Sequence, residues 1–285
     1  MPADEHSSKP GTRLSAVTDP FSLADRAAAH IAELTGVGQH RAVVVLGSGW
    51  GPVEEAFGKP VSRFAMTDVP GFLAPVAEGH RGIIASYDVG GVATLVLSGR
   101  THLYEGHGLR PVVHGIRTAR AAGCTLAVLT NANGSLRADL DLGQPVLVRD
   151  HLNLTGTSPI EGAHFVDLTD CWSARLRNLA RGLDSTLPEA TYAWLRGPHY
   201  ETLAEAEWVR RIGGDVLGMS TVPEAIAGRQ CGLEVLGLST VTAIEGQDCG
   251  IDPSEVVAVA ERTAARMGPL VADLVNRAFR EGELA

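Results

Sequence analysis

The chain has 285 residues, 45% hydrophobic and 20% charged, which suffices for one large core or at most two. Its formal charge of −9, with lysine only at Lys9 and Lys59 and no basic stripe, argues against nucleic acid as a partner. No segment reaches the roughly 18 apolar residues of a membrane helix. Cys124, Cys171, Cys231 and Cys249 have no metal-ligand spacing, so reduced thiols in a cytoplasmic protein are expected.

Residues 1–20, MPADEHSSKPGTRLSAVTDP, are polar and lack the apolar core of a signal peptide. They read as a disordered arm before one domain over 21–285. Helical spacing runs over 22–34, and the β-branched run 41–46 is a buried strand. Residues 82–86 and 91–98 form a hairpin around Asp88-Val89-Gly90-Gly91. A helix over 110–122 leads to a strand over 126–130 that ends in Asn131, and a strand over 145–149 closes at Asp150-His151. Helices follow at 171–182, 204–212, 224–231 and 254–280, with strands at 215–219 and 234–241. Alternating short strands and helices imply an α/β sheet with helices on both faces, in one domain without an internal linker.

Ligands of such sheets sit beyond the carboxyl ends of the strands, where this chain places several polar clusters. Gly47-Ser48-Gly49-Trp50-Gly51 either cradles an anion on backbone N–H groups or is an ordinary tight turn. The spacing fits neither a dinucleotide fingerprint nor a P-loop. Gly79-His80-Arg81-Gly82 and Ser98-Gly99-Arg100-Thr101-His102 each pair His with Arg, and Arg100 directly follows an apolar strand, which suits a phosphate contact better than a solvated surface. Arg81 reads as a surface residue. Tyr104 serves packing or ligand contact equally well. Asn131, Asn133, His151 and Asn153 read as structural hydrogen-bonding groups, and Asp139-Leu140-Asp141 as a solvated turn.

Residues 197–202, GPHYET, place Tyr200 and Glu201 just before a helix. Glu201 either favours the positive end of that helix or accepts N–H groups from a heterocycle lying against Tyr200 and Met219.

The motifs VVVLGSGWG (43–51), PGF…GHRG (70–82), SGRTHLYEGH (98–107), LTNANGSLR (129–137), DHLNLTGTSP (150–159), GPHYET (197–202) and GDVLGMSTVPEAIAGRQCGLEVLGLSTVT (214–242) occur in this order. On them the chain resembles the trimeric purine nucleoside phosphorylases, a family that includes the methylthioadenosine phosphorylases. The resemblance runs from Phe21 to the C-terminus. It implies a single α/β domain with a central mixed sheet or distorted barrel flanked by helices, a homotrimer, and cleavage of the N-glycosidic bond of purine nucleosides by inorganic phosphate. Phosphate is then a co-substrate, and no metal or organic cofactor takes part. The resemblance also implies that Ser48, His80, Arg100, His102, Ala132 (through its backbone N–H) and Ser220 hold phosphate. Tyr104 and Met219 contact the sugar, Tyr200 stacks on the base and Glu201 accepts N1–H. Glu201 and His102 are the catalytic pair expected, and Phe165 enters the neighbouring subunit's site.

Two positions depart from the family. Its base-binding Asn falls on Ala243, with Glu245 or Asp248 as substitutes from the same loop. Its 5′-hydroxyl-binding His falls on Pro253, which makes that wall apolar, as in the methylthioadenosine branch. These losses motivate altered base or 5′ specificity, or, as the alternative, a nucleoside- and phosphate-binding homologue with weak or no turnover.

Overall fold

Pro20 pre-sets the first turn of α1 (Pro20–Thr35), and the Asp19 carboxylate accepts from the Ser22 amide at 2.7 Å. Asp19 and Pro20 thus lie inside the folded domain, on the arm side of the boundary expected at residue 21. The computed structural model describes residues 19–245 and 253–280, and the rest of the expected arm lies outside them.

Every residue of β1 (Ala42–Leu46) is buried, because it is covered on both faces. Val43 and Val45 enter one core with Ala27, Ile31, Ile116 and Ile226. Ala42, Val44 and Leu46 enter the other with Leu176, Leu179, Met267, Val271 and Leu274. Side chains alternating across the strand thereby tie together two helical layers. On one side lie α1, α3 (His114–Ala121) and α6 (Val222–Gln230), and on the other α4 (Ala174–Leu183) and α7 (Pro253–Arg280).

The remaining strands are β2 (Ser62–Ala65), β3 (Ile83–Val89), β4 (Val92–Ser98), β5 (Leu126–Ser135), β6 (Pro145–Asn153), β7 (Glu189–Trp194), β8 (Val216–Gly218) and β9 (Glu234–Ile244). With β1 they form one mixed sheet in the order β2-β3-β4-β1-β5-β8-β7-β6-β9. β9 also pairs with β5, so β5, β8, β7, β6 and β9 close into a five-stranded barrel. This is the expected central sheet and distorted barrel with flanking helices.

The structure corrects several expected boundaries. β5 does not end at Thr130 but continues to Ser135, because Asn131 and Asn133 find partners inside the barrel. β6 likewise passes Arg149 to Asn153, paired with β7. The helix over 110–122 is interrupted at Val113 (φ −101°, ψ 3°) into α2 (Leu109–Val112) and α3. Strands β2 and β7 were not expected. The last helix of the set, α5 (Leu203–Arg211), follows the GPHYET segment. Among the described residues no helix is long and apolar enough to cross a membrane.

Candidate active site

β1 runs parallel to β4 and β5, with Leu46 opposite Ser98 and Val45 opposite Leu129. The chain therefore leaves β1 and β4 side by side at Gly47 and Gly99, next to Thr130 within β5. A cavity of about 150 Å³ lies there. One end is lined by Ser48, His80, Arg100, His102, Ala132 and Ser220, and the other by Tyr104, Tyr200, Glu201, Met219 and Ala243. Eleven expected site residues thus meet in one place. Phe165 does not line it but stands fully exposed, beside Phe21, Arg110 and His164 at a separate cavity. Pro253 opens α7, but its side chain lies outside the described part, as does Asp248.

Arg100 is fixed on two of its three nitrogens. Its Nε ion-pairs with buried Glu224 at 3.0 Å, and Nη1 donates to the Thr130 carbonyl at 2.7 Å. Its buried Nη2 has no partner among the described residues. Because a buried guanidinium donor without an acceptor is costly, this nitrogen marks the seat of an anion. Gly47 makes the arrangement possible: a Cβ there would lie 2.6 Å from the Thr130 carbonyl oxygen and 2.9 Å from Arg100 Nη1.

His80 is half-buried and its Nδ1 accepts from the Arg100 backbone amide at 2.8 Å. Burial, with His102 and Arg100 nearby, holds its imidazole well below the ordinary pKa. A neutral ring that accepts at Nδ1 carries its proton on Nε2, which reaches Ser48 Oγ at 3.0 Å. His80 is therefore a second donor at the anion end. His102 stacks on Tyr104 with centroids 4.7 Å apart, and its Nδ1 lies 3.3 Å from Glu105 Oε1.

The two asparagines of β5 extend the site into a buried chain. Asn133 Nδ2 donates to Ser239 Oγ at 2.5 Å, Ser239 donates to Asn131 Oδ1, and Asn131 Nδ2 donates to Thr221 Oγ1 at 3.0 Å. Thr221 Oγ1 lies 3.0 Å from Ser220 Oγ, so the two hydroxyls share one hydrogen bond at the cavity wall. Thr221 holds φ 73°, a conformation that disfavours a β-branched residue by about 1–3 kcal/mol, sustained here by these bonds. Asn131 and Asn133 are thus cavity residues rather than turn caps. His151 and Asn153, by contrast, serve structure as expected: His151 Nδ1 accepts from Trp172 Nε1 at 3.1 Å, and Asn153 bonds Thr155 and Thr157. Asp139 is an exposed partner of Arg137, and Arg81 is a half-exposed partner of Glu54.

At the other end the two readings of Glu201 separate. Thr202 caps α5, and Glu205 returns a bond to the Thr202 amide at 2.8 Å, so the positive end of the helix is served by Glu205. Glu201 instead faces the cavity, and its buried Oε2 has no partner among the described residues. Burial pushes its pKa above the ordinary carboxyl range. Met219 closes over Gly197, where a Cβ would come within 2.2 Å of its sulfur, so only glycine permits that contact.

Glu245, at the end of β9, also lines this end. Burial, and then the charge of Glu201, push its pKa up to about 7. Between the ordinary value of 4.5 and about 7 the folded chain therefore binds a proton that the unfolded chain releases, and stability falls as pH rises through that window. Glu245→Gln removes the charge, so its melting temperature is expected to exceed that of the wild type at pH 8 and to match it at pH 5. Thermal melts at both values check this.

The family model of the phosphorylase superfamily matches residues 41–276. A purine nucleoside phosphorylase of Mycobacterium tuberculosis is 53% identical over 91% of this chain and 97% of its own length. One from a Cellulomonas species is 49% identical over 91% and 95%. The chain belongs to the purine nucleoside phosphorylase family. Among solved members, a Schistosoma mansoni purine nucleoside phosphorylase in complex with adenosine superposes with a TM-score of 0.81 at 29% identity, covering 88% of this chain and 95% of that one. Isoform 2 from the same organism, with cytosine and ribose-1-phosphate, gives 0.82 at 28% identity over 90% and 96%.

Against the family pattern, Ala243 brings only a methyl group to the base end. The sequence reading missed Glu224, Ser239 and Tyr192. Tyr192 is buried, and its hydroxyl accepts from the Ser220 amide at 3.4 Å. A signal existed for Glu224, an acid in the first turn of a Pro-opened helix, where the helix dipole favours it.

Proposed function

We propose that this purine nucleoside phosphorylase family member seats inorganic phosphate between Arg100, His80, Ser48 and Ser220 and a purine nucleoside between that anion and Glu201. It cleaves the N-glycosidic bond to give the free base and ribose 1-phosphate. The observation that carries this reading is the pairing, in one cavity, of a buried guanidinium nitrogen without an acceptor and a buried carboxylate oxygen without a donor among the described residues. One requires an anion and the other an N–H group such as N1–H of a 6-oxopurine. Among the ligands named for the Schistosoma proteins, ribose-1-phosphate carries such an anion and hypoxanthine such an N–H group, beside adenosine and cytosine.

As the C1′–N9 bond lengthens, positive charge develops on the sugar and negative charge on the base. Phosphate under the ring stabilises the first and then captures C1′. His102, stacked between the anion end and Tyr104, orients both. The protein contributes positioning and fixed dipoles, and the reading needs no metal or organic cofactor. The exposed Phe165 suits insertion into a neighbouring subunit's site in a homotrimer. Free, mostly buried Cys124, Cys171 and Cys231 suit a cytoplasmic enzyme of purine salvage.

The test is a base-release assay with and without phosphate across inosine, guanosine, adenosine, 5′-methylthioadenosine and a 5′-deoxy-5′-halo analogue. Phosphate-dependent release with ribose 1-phosphate, or its 5′-modified counterpart, as the second product is expected. Ala243 motivates the second reading, a binding homologue without turnover. Intact nucleoside binding with no release on any of the five would establish that reading instead.

A further inference from the structure

We propose that Glu245 is the acid that protonates the departing base at N7. The proposal rests on the phosphorolysis reading above and assigns to this side chain the task for which Ala243 has no group.

The geometry comes from β9. Residues 243 and 245 alternate with Ile244, so both face the cavity. In the β5–β9 ladder Gly134 stands opposite Ala243, just past a register shift between Asn133 and Gly134. Hydrogen and methyl face one another there, leaving a gap at the base end. The Glu245 carboxyl fills it: Oε1 lies 2.1 Å from where a Gly134 Cβ would be. The backbone is held at this point by the Glu245 amide donating to the Ser135 carbonyl at 2.9 Å. Glu245 thus brings its carboxyl into the space that Gly134, the ladder partner of Ala243, leaves open.

The second observation is the company it keeps. The titratable groups lining the cavity are His80, Arg100, His102, Tyr104, Tyr200 and Glu201, while α7 contributes apolar Val256. Of these, Glu201 is the one that acts on Glu245. Two carboxyls at one end of a small cavity favour holding one proton between them. That end then offers a carboxylate acceptor and an acid O–H donor. A purine's edge presents their complements, an N–H and the N7 lone pair.

The C1′–N9 bond breaks with both electrons going to the base, and a phosphate oxygen forms the new bond to C1′. The Glu245 proton moves to N7, so the base leaves neutral and Glu245 becomes a carboxylate. The proton lost by HPO4²⁻ on forming the ester equals the one Glu245 regains before the next turnover.

An N7-methylated nucleoside provides the test, because its base already leaves neutral without receiving a proton. Steady-state kcat/KM at saturating phosphate is measured for inosine, guanosine and adenosine, each against its N7-methyl derivative. Glu245→Gln is expected to lower the value for the parent nucleosides by about 100-fold and to leave the N7-methyl derivatives within about threefold. Glu245→Asp, which keeps an acid, is expected to recover part of the loss. The N7-methyl arm also reports whether the variant is folded. Equal losses on parent and methylated substrates overturn the proposal while leaving phosphorolysis intact. A wild type inactive on every parent and derivative overturns the phosphorolysis reading and this assignment together.

Discussion

Arg100→Met is expected to abolish useful phosphorolysis, with kcat/KM for phosphate falling by at least about 10²–10³-fold. The residue supplies Nη2, the one buried nitrogen of its guanidinium left without an acceptor among the described residues. Its removal also exposes a second dependence. Glu224 is 3% exposed and ion-paired to Arg100 Nε at 3.0 Å. Without the guanidinium it becomes an uncompensated buried charge, a loss of about 3–5 kcal/mol. At about 2–4 °C per kcal/mol for a chain of this size, the melting temperature falls by on the order of 10 °C. Adding Glu224→Leu removes the stranded charge, so the double variant is expected to regain most of its thermal stability and none of its activity. Thermal melts and phosphate titrations of both variants check this separation. A double variant that regained turnover would show that Arg100 acts on the fold rather than on phosphate.

The same pair illustrates what the sequence conceals. Arg100 stood out because a charge immediately follows the buried strand 92–98, and strand ends are where ligands bind in such sheets. Glu224 lies 124 positions further along, and only the closure of the sheet brings it to 3.0 Å. Barrel closure also explains the misread strand ends. An apolar run signals a strand only while its side chains enter hydrocarbon. Asn131 and Asn133 are buried because Ser239 and Thr221, from other elements, satisfy them. β5 therefore continues through residues whose types say turn. β7 was hidden differently, since it starts at half-buried Glu189 after Pro188 and runs for six residues without a β-branched stretch. β2 is a four-residue edge strand with only partial burial, too short to show a period. The GPHYET segment was legible for another reason. A capping box at Thr202–Glu205 fixes where α5 begins, so Glu201 must precede the helix and its carboxyl is free for other work.

That work predicts the response to Glu201→Gln. An ionised carboxylate accepting N1–H makes a charge-assisted bond, and an amide in its place makes a neutral one. It can also turn its NH2 toward the same donor. The difference, about 1.5–3 kcal/mol, grows in a water-poor cavity as negative charge builds on the base. Inosine and guanosine should therefore lose on the order of 10²-fold in kcat/KM, while adenosine, which has no N1–H, loses far less. Equal losses on all three would remove Glu201 as the N1–H acceptor. The pH profile carries a second consequence. Glu201 raises the pKa of Glu245, which stands at about 7. Taking the Glu201 charge away lets that value fall. A proton donor works only while protonated, so the rate declines as pH rises through the Glu245 pKa. In Glu201→Gln the basic limb of kcat/KM for adenosine should therefore move to lower pH. An unmoved limb would mean that the two carboxyls, although they line one cavity, titrate independently during turnover.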